Sequence, residues 1–118
     1  MRESDSIPDN VVVAVVQMSC TANKAENVDK ALGLVADAAG QGANIIVLQE
    51  LFATHYPCQS EDHDRFAEAE TIPGPSSLLV QRAAGKMGVV IVGSLFERRA
   101  PGVFHNTAVV FDADGRGL

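Results

Sequence analysis

Val11–Val16 (VVVAVV) is an unbroken apolar run, almost all of it β-branched, and with Gln17–Ser19 it reads as one strand. β-branched side chains suit a pleated surface, and the run shows no apolar–polar alternation. The expectation is therefore a strand covered on both faces, inside a sheet with helices or a second sheet over it. Asn44–Gln49 (NIIVLQ) is a second strand of the same character. Between them, Val28, Leu32, Val35 and Ala39 recur at helical spacing and predict one buried helix face. Thr21 and Asn23 are candidate caps, Glu26 suits the positive end of the helix dipole, and Gly40 and Gly42 close the helix.

The pattern continues to the carboxyl end. A loop runs over Glu50–Pro57, and Ser60 with Glu61, Asp62 and Asp64 reads as the acidic start of a short helix. That cluster lacks the alternating spacing and central glycine of a calcium loop. After the turn-rich Thr71–Ser77, Ser76 or Ser77 is expected to cap a helix reaching about Lys86, with Leu79, Ala83 and Met87 inward. Val89–Phe96 and His105–Phe111 are the third and fourth strands, joined across Pro101-Gly102. Arg98 and Arg99 read as a solvated hairpin tip. The order predicts an α/β sheet of mixed direction, with crossovers joining the first three strands and a hairpin joining the last two. Residues 1–10 read as a flexible arm and residues 11–118 as one structural unit.

Composition removes several functions. The 118 residues carry 15 acids against 9 bases, a net charge of −6, and no basic stripe to hold nucleic acid. No apolar run approaches the roughly 20 residues that span a bilayer. The acid-bearing amino terminus is a poor targeting peptide, so a cytoplasmic protein is expected. Cys20 and Cys58 form no disulfide framework, and no His/Cys spacing suits a metal. Gly40-x-Gly42 lies between a helix and a strand, which is the wrong context for a phosphate loop. Doubly covered strands need more material than these helices supply, and Asp112–Leu118 reads as the approach to a further strand. The chain is therefore expected to be part of a longer protein, the plain alternative being a small complete domain with a ragged end.

One residue suggests chemistry. Glu50 closes the apolar strand Ile45–Gln49 and precedes Leu51 and Phe52. In α/β sheets ligands gather at the carboxyl ends of strands. A carboxylate in such a place is expected to be poorly solvated, and desolvated carboxylates serve as general acids or bases. The plain alternative is a polar residue where a strand leaves the core. Cys20, directly after a strand, reads as a small apolar residue, and His55 as a solvated loop side chain.

Taken in order, VVVAVVQM, ANIIVLQELF, Tyr56-Pro-Cys58-Gln59, MGVVIVGSLFER and HNTAVVFDADG resemble the amino-terminal part of the nitrilase, or carbon–nitrogen hydrolase, superfamily. The resemblance runs from about Val11 to the end. It implies an αββα sandwich, present here as its first four strands with two or three helices, and pairing of identical chains in the intact protein. It implies a catalytic set of glutamate, lysine and cysteine, of which Glu50 matches the glutamate. The lysine is expected in a Tyr-x-Lys string after the Asp112–Gly115 turn and the cysteine after a later strand, both past Leu118. Cys20 and Cys58 do not match the nucleophile's context, nor do Lys24, Lys30 and Lys86, on predicted helices, match the lysine. Phe52 and Tyr56 are candidates to line the substrate pocket, with packing an equal alternative for Phe52. Asn106 matches a family landmark, expected to fix backbone near the site.

The implied chemistry is acyl transfer through a thioester-like intermediate, with no metal or organic cofactor. Glu-Leu-Phe followed by Tyr-x-Cys-Gln resembles the branch that converts N-carbamoylputrescine to putrescine, carbon dioxide and ammonia in polyamine synthesis. A carbamoyl amino acid or an omega-amide is the alternative substrate. A non-catalytic α/β module is the alternative function. Taken by itself, the 118-residue chain is expected to be inactive.

Overall fold

In the computed structural model, which describes residues 10–54 and 67–118, the two apolar runs are neighbouring parallel strands. β1 is Val13–Val16 and β2 is Ile45–Leu48, paired from Val13 with Ile45 to Val16 with Leu48. β3, Val90–Ala100, runs parallel to β2, and β4, Val103–Phe111, returns antiparallel beside it. The sheet order is β1-β2-β3-β4. Crossovers join the first three strands and a hairpin joins the last two, as the sequence pattern predicts. Gly102, at a φ of 75°, makes the hairpin turn that a β-carbon would strain. Residues 1–9 of the expected 1–10 arm, and the acidic short helix at residues 60–64, lie outside the described residues.

α1, Lys24–Gly40, follows β1, and its cap is Asn23, whose side chain accepts from Glu26 N. α2, Pro75–Met87, precedes β3. Its cap is Gly74 rather than Ser76 or Ser77. Pro75 has its φ set for the first helical position, which places both serines inside the helix. Ser77 Oγ accepts from Gly74 N at 2.8 Å, while Ser76 turns to Glu70. A β-carbon at position 74 would lie 2.1 Å from Thr71 O, so the close turn demands glycine. The inner face of α2 carries Ser76, Ser77, Val80, Ala83 and Ala84. Leu79, expected inward, is exposed; the buried face runs through Val80, Ala83 and Ala84, and Leu79 falls outside it.

Both helices lie on one side of the sheet. Val28, Ala31 and Val35 of α1 and Val80, Ala83 and Ala84 of α2 join Val16, Ile46, Leu48, Ile91, Leu95, Val109 and Phe111 in a single core. The other side is open among the described residues: Val13 is 55% and Val15 75% exposed. Within this chain the helices cover one face of β1, the shortfall of covering material expected from the sequence. The run lacks alternation because its open face is as apolar as its packed one. By register, Val47, Val92 and Val110 share the open face with Val15, as do Ser94, Phe96 and Asn106 further along β3 and β4.

Candidate active site

The site is built where β2 ends. Three consecutive residues there, Gln49, Glu50 and Leu51, are each tied to a different strand or its extension. Gln49 Oε1 accepts from Met18 N at 2.7 Å, just past β1, and its Nε2 donates to Cys20 Sγ at 3.3 Å. Leu51 N donates to Ser94 Oγ of β3 at 2.7 Å. Glu50 Oε1 accepts from Asn106 Nδ2 of β4 at 2.6 Å.

Leu51 has a φ of +50°, a left-handed backbone that side chains other than glycine's disfavour. It reverses the chain so that Leu51, Phe52, Ala53 and Thr54 turn into the core, and Thr54 N donates to Leu51 O at 3.3 Å. Glu50 stays at the rim. Its carboxylate is exposed in this chain, which corrects the expectation of poor solvation. The apolar neighbours in sequence point away from it rather than over it.

Phe52 is a core residue, 1% exposed, with its ring 3.5 Å from where a β-carbon on Gly93 would stand. This placement gives Phe52 a packing role among the described residues. Tyr56, His55 and Cys58 lie outside the described residues.

Two supports of the turn escaped the sequence reading. Asn27 of α1 is 1% exposed. Its Nδ2 donates to Ala53 O at 2.9 Å and Thr21 O at 2.8 Å, while its Oδ1 accepts from Thr21 N at 2.8 Å. A polar residue at an inner helical position, beside Val28 and one turn before Ala31, was the available signal. The second support is Ser94, a hydroxyl in the apolar first half of β3, Val90–Phe96.

Cys20 Sγ lies 3.1 Å from Phe52 O, to which it donates. Burial pushes its thiol up, against the opposing pull of Lys30 and the Gln49 amide. A thiol held protonated is a poor nucleophile, in keeping with the expectation of a small packed side chain. Lys24 and Lys30 lie on α1 and Lys86 in the last turn of α2. Lys24 Nζ pairs with Glu70 Oε2 at 3.2 Å and donates to Glu68 O, while Lys30 Nζ donates to Ser19 O. Both are occupied in holding the helix to neighbouring chain. Among the described residues, no group of three or more acids, histidines or cysteines is arranged to hold a metal.

Residues 12–118 match the carbon-nitrogen hydrolase family. The chain belongs to that family. It is 41% identical over 109 residues to an N-carbamoylputrescine amidase of Solanum lycopersicum, covering 92% of this chain and 36% of the relative. It is 39% identical over 104 residues to an omega-amidase of Danio rerio, covering 87% of this chain and 36% of that one. The chain thus spans little more than a third of the length of the curated relatives it matches. Among solved structures, a carbon-nitrogen hydrolase from Helicobacter pylori superposes with a TM-score of 0.84 at 33% identity. That match covers 91% of this chain and 37% of the other. The α/β architecture and the family resemblance expected from the sequence are both borne out. No described helix is long and apolar enough to cross a membrane.

Proposed function

We propose that Glu50 is the general acid–base residue of an amidohydrolase acting on a non-peptide linear amide, with N-carbamoylputrescine as the leading substrate. The observation that carries the reading is the placement of this carboxylate at the carboxyl end of β2, held by Asn106, in a chain of the carbon-nitrogen hydrolase family. The names of the curated relatives support the substrate class, and the amidase of Solanum lycopersicum supports the particular carbamoyl amine.

In this reading Glu50 takes the proton of a cysteine thiol supplied elsewhere in the complete protein. The thiolate adds to the ureido carbonyl, and a lysine ammonium holds the oxygen that becomes negative. Glu50 returns its proton to the departing ammonia, leaving a carbamoyl thioester. It then draws a proton from water, whose attack frees the thiol and a carbamic acid. The carbamic acid breaks down to putrescine and carbon dioxide. A positive charge fixed beside the developing oxyanion is worth about 3 kcal/mol of barrier. The reading needs no metal or organic cofactor. It also carries a cytoplasmic location and pairing of identical chains in the complete protein.

The test is ammonia release by the product of the complete reading frame. The substrate panel is N-carbamoylputrescine, a carbamoyl amino acid and an omega-amide of a dicarboxylic acid. Preference for the carbamoyl amine supports the reading. Preference for the omega-amide moves the substrate to the class named for the Danio rerio relative, and no release from any of them overturns it.

A further inference from the structure

We propose that Asn106 is a positioning residue for Glu50, fixing the carboxylate for the proton transfers assigned to it; this rests on the functional reading above. Asn106 Nδ2 donates to Glu50 Oε1 at 2.6 Å across 56 residues of sequence. A hydrogen bond to a charged acceptor is about twice as strong as one between neutral groups. Asn106 stands on a strand, and Glu50 in the tethered turn just past one. Asn106 lies within β4, in register with Phe96 of β3. The backbone on either side of Glu50 is held by Gln49 to Met18 and by Leu51 to Ser94.

That arrangement separates two tasks. Ser94 and Gln49 fix where the main chain of residue 50 goes. Asn106 fixes which way the side chain points, by engaging one carboxylate oxygen with a donor that brings no charge of its own. A glutamate has several rotamers of similar energy, and proton transfer needs one of them. Asn106 is itself exposed on its strand, so the sheet does not depend on its packing. Its removal should leave the fold and change the chemistry.

The test has two arms. In the 118-residue chain, the side-chain amide protons of Asn106 are followed by nuclear magnetic resonance in the parent and in Glu50→Gln. The expected result is a shift of the Asn106 amide signals with those of Asn23 and Asn44 unmoved. In the product of the complete reading frame, Asn106→Leu is expected to lower kcat about 100-fold, the cost of a misplaced catalytic group. KM should stay within about twofold, because an interaction that acts in the transition state is the one removed. Asn106→Gln, which keeps an amide donor, should recover part of the rate.

An active parent whose Asn106→Leu variant keeps kcat within about threefold overturns the positioning role alone. So does a loss of rate that merely follows loss of folded protein, or an Asn106 amide signal indifferent to Glu50→Gln. A parent that releases no ammonia while the amide response is present overturns the functional reading, and the positioning role falls with it.

Discussion

Gly85 of α2 and Gly115 of the turn after β4 meet backbone to backbone: a β-carbon on Gly85 would stand 3.2 Å from Gly115 Cα. Gln81 Nε2 secures the same contact by donating to Gly115 O at 2.7 Å. Gly115 has a φ of 89°, and beyond it Leu118 N donates to Val110 O at 2.9 Å. The contact docks the Asp112–Arg116 turn on the helix and returns the chain beside β4. Gly85→Val inserts a branched side chain into this gap. We expect a loss of about 2 kcal/mol, the scale of overpacking, read from the urea midpoint. An unchanged midpoint would show that the turn moves aside freely.

Asn27→Leu keeps roughly the size of the side chain and removes every hydrogen bond it makes. Ala53 O and the Thr21 backbone would lose their partners next to a buried position. Stranded buried groups make this variant lose about 3 kcal/mol in chemical unfolding. A loss below about 0.5 kcal/mol would mean the turn carrying Glu50 does not depend on α1.

Glu70 links α1 to α2. Burial works to push its carboxyl up, but hydrogen bonds from Ser76 Oγ and Ser76 N, together with Lys24, outweigh this and hold it below the usual value. A carboxyl lowered in the folded state stabilises above its unfolded value, and that contribution fades as pH falls through the folded one. Glu70→Gln should therefore destabilise at neutral pH and narrow its gap to the parent below about pH 4. Parallel stability curves for the two proteins across that range would count against the linkage.

Glu50→Gln in the product of the complete reading frame should lose at least about 100-fold in kcat while keeping its circular dichroism spectrum. Near-parental turnover would remove Glu50 from the proton-transfer role. The 118-residue chain by itself should release no ammonia from any carbamoyl amine, because the proposed chemistry also needs a lysine and a thiol in other positions. Turnover by the purified chain would contradict that three-residue scheme.

β1 stands at the edge of the described sheet with Val13 and Val15 bare. An exposed apolar edge is a template for pairing with another chain. Val15→Lys should lower light scattering by the 118-residue chain at equal concentration. Equal scattering from parent and variant would place any association elsewhere.

Much of the fold was legible because its elements rest on local pattern. The β-branched runs around Val13–Val16 and Ile45–Leu48, the spacing of Val28 and Val35, and the Pro101-Gly102 turn each state their conformation within a few residues. Glu50 was legible as a polar residue at the end of an apolar strand. Harder to see was the start of α2. Pro75 and the tight Gly74 turn outcompete Ser76 and Ser77 as the helix start.

The sequence alone determined the strands, the helices, their order and the family, since propensity and periodicity act over neighbouring residues. Tertiary structure decided which face of the sheet the helices cover and which way Glu50 points. It also brought Asn106 and Ser94 to the turn after β2. Those outcomes depend on strand register and on a left-handed turn at Leu51, which join positions more than forty residues apart. Burial is likewise a property of the assembled layers, and so Phe52 proved a core side chain and Glu50 an exposed one.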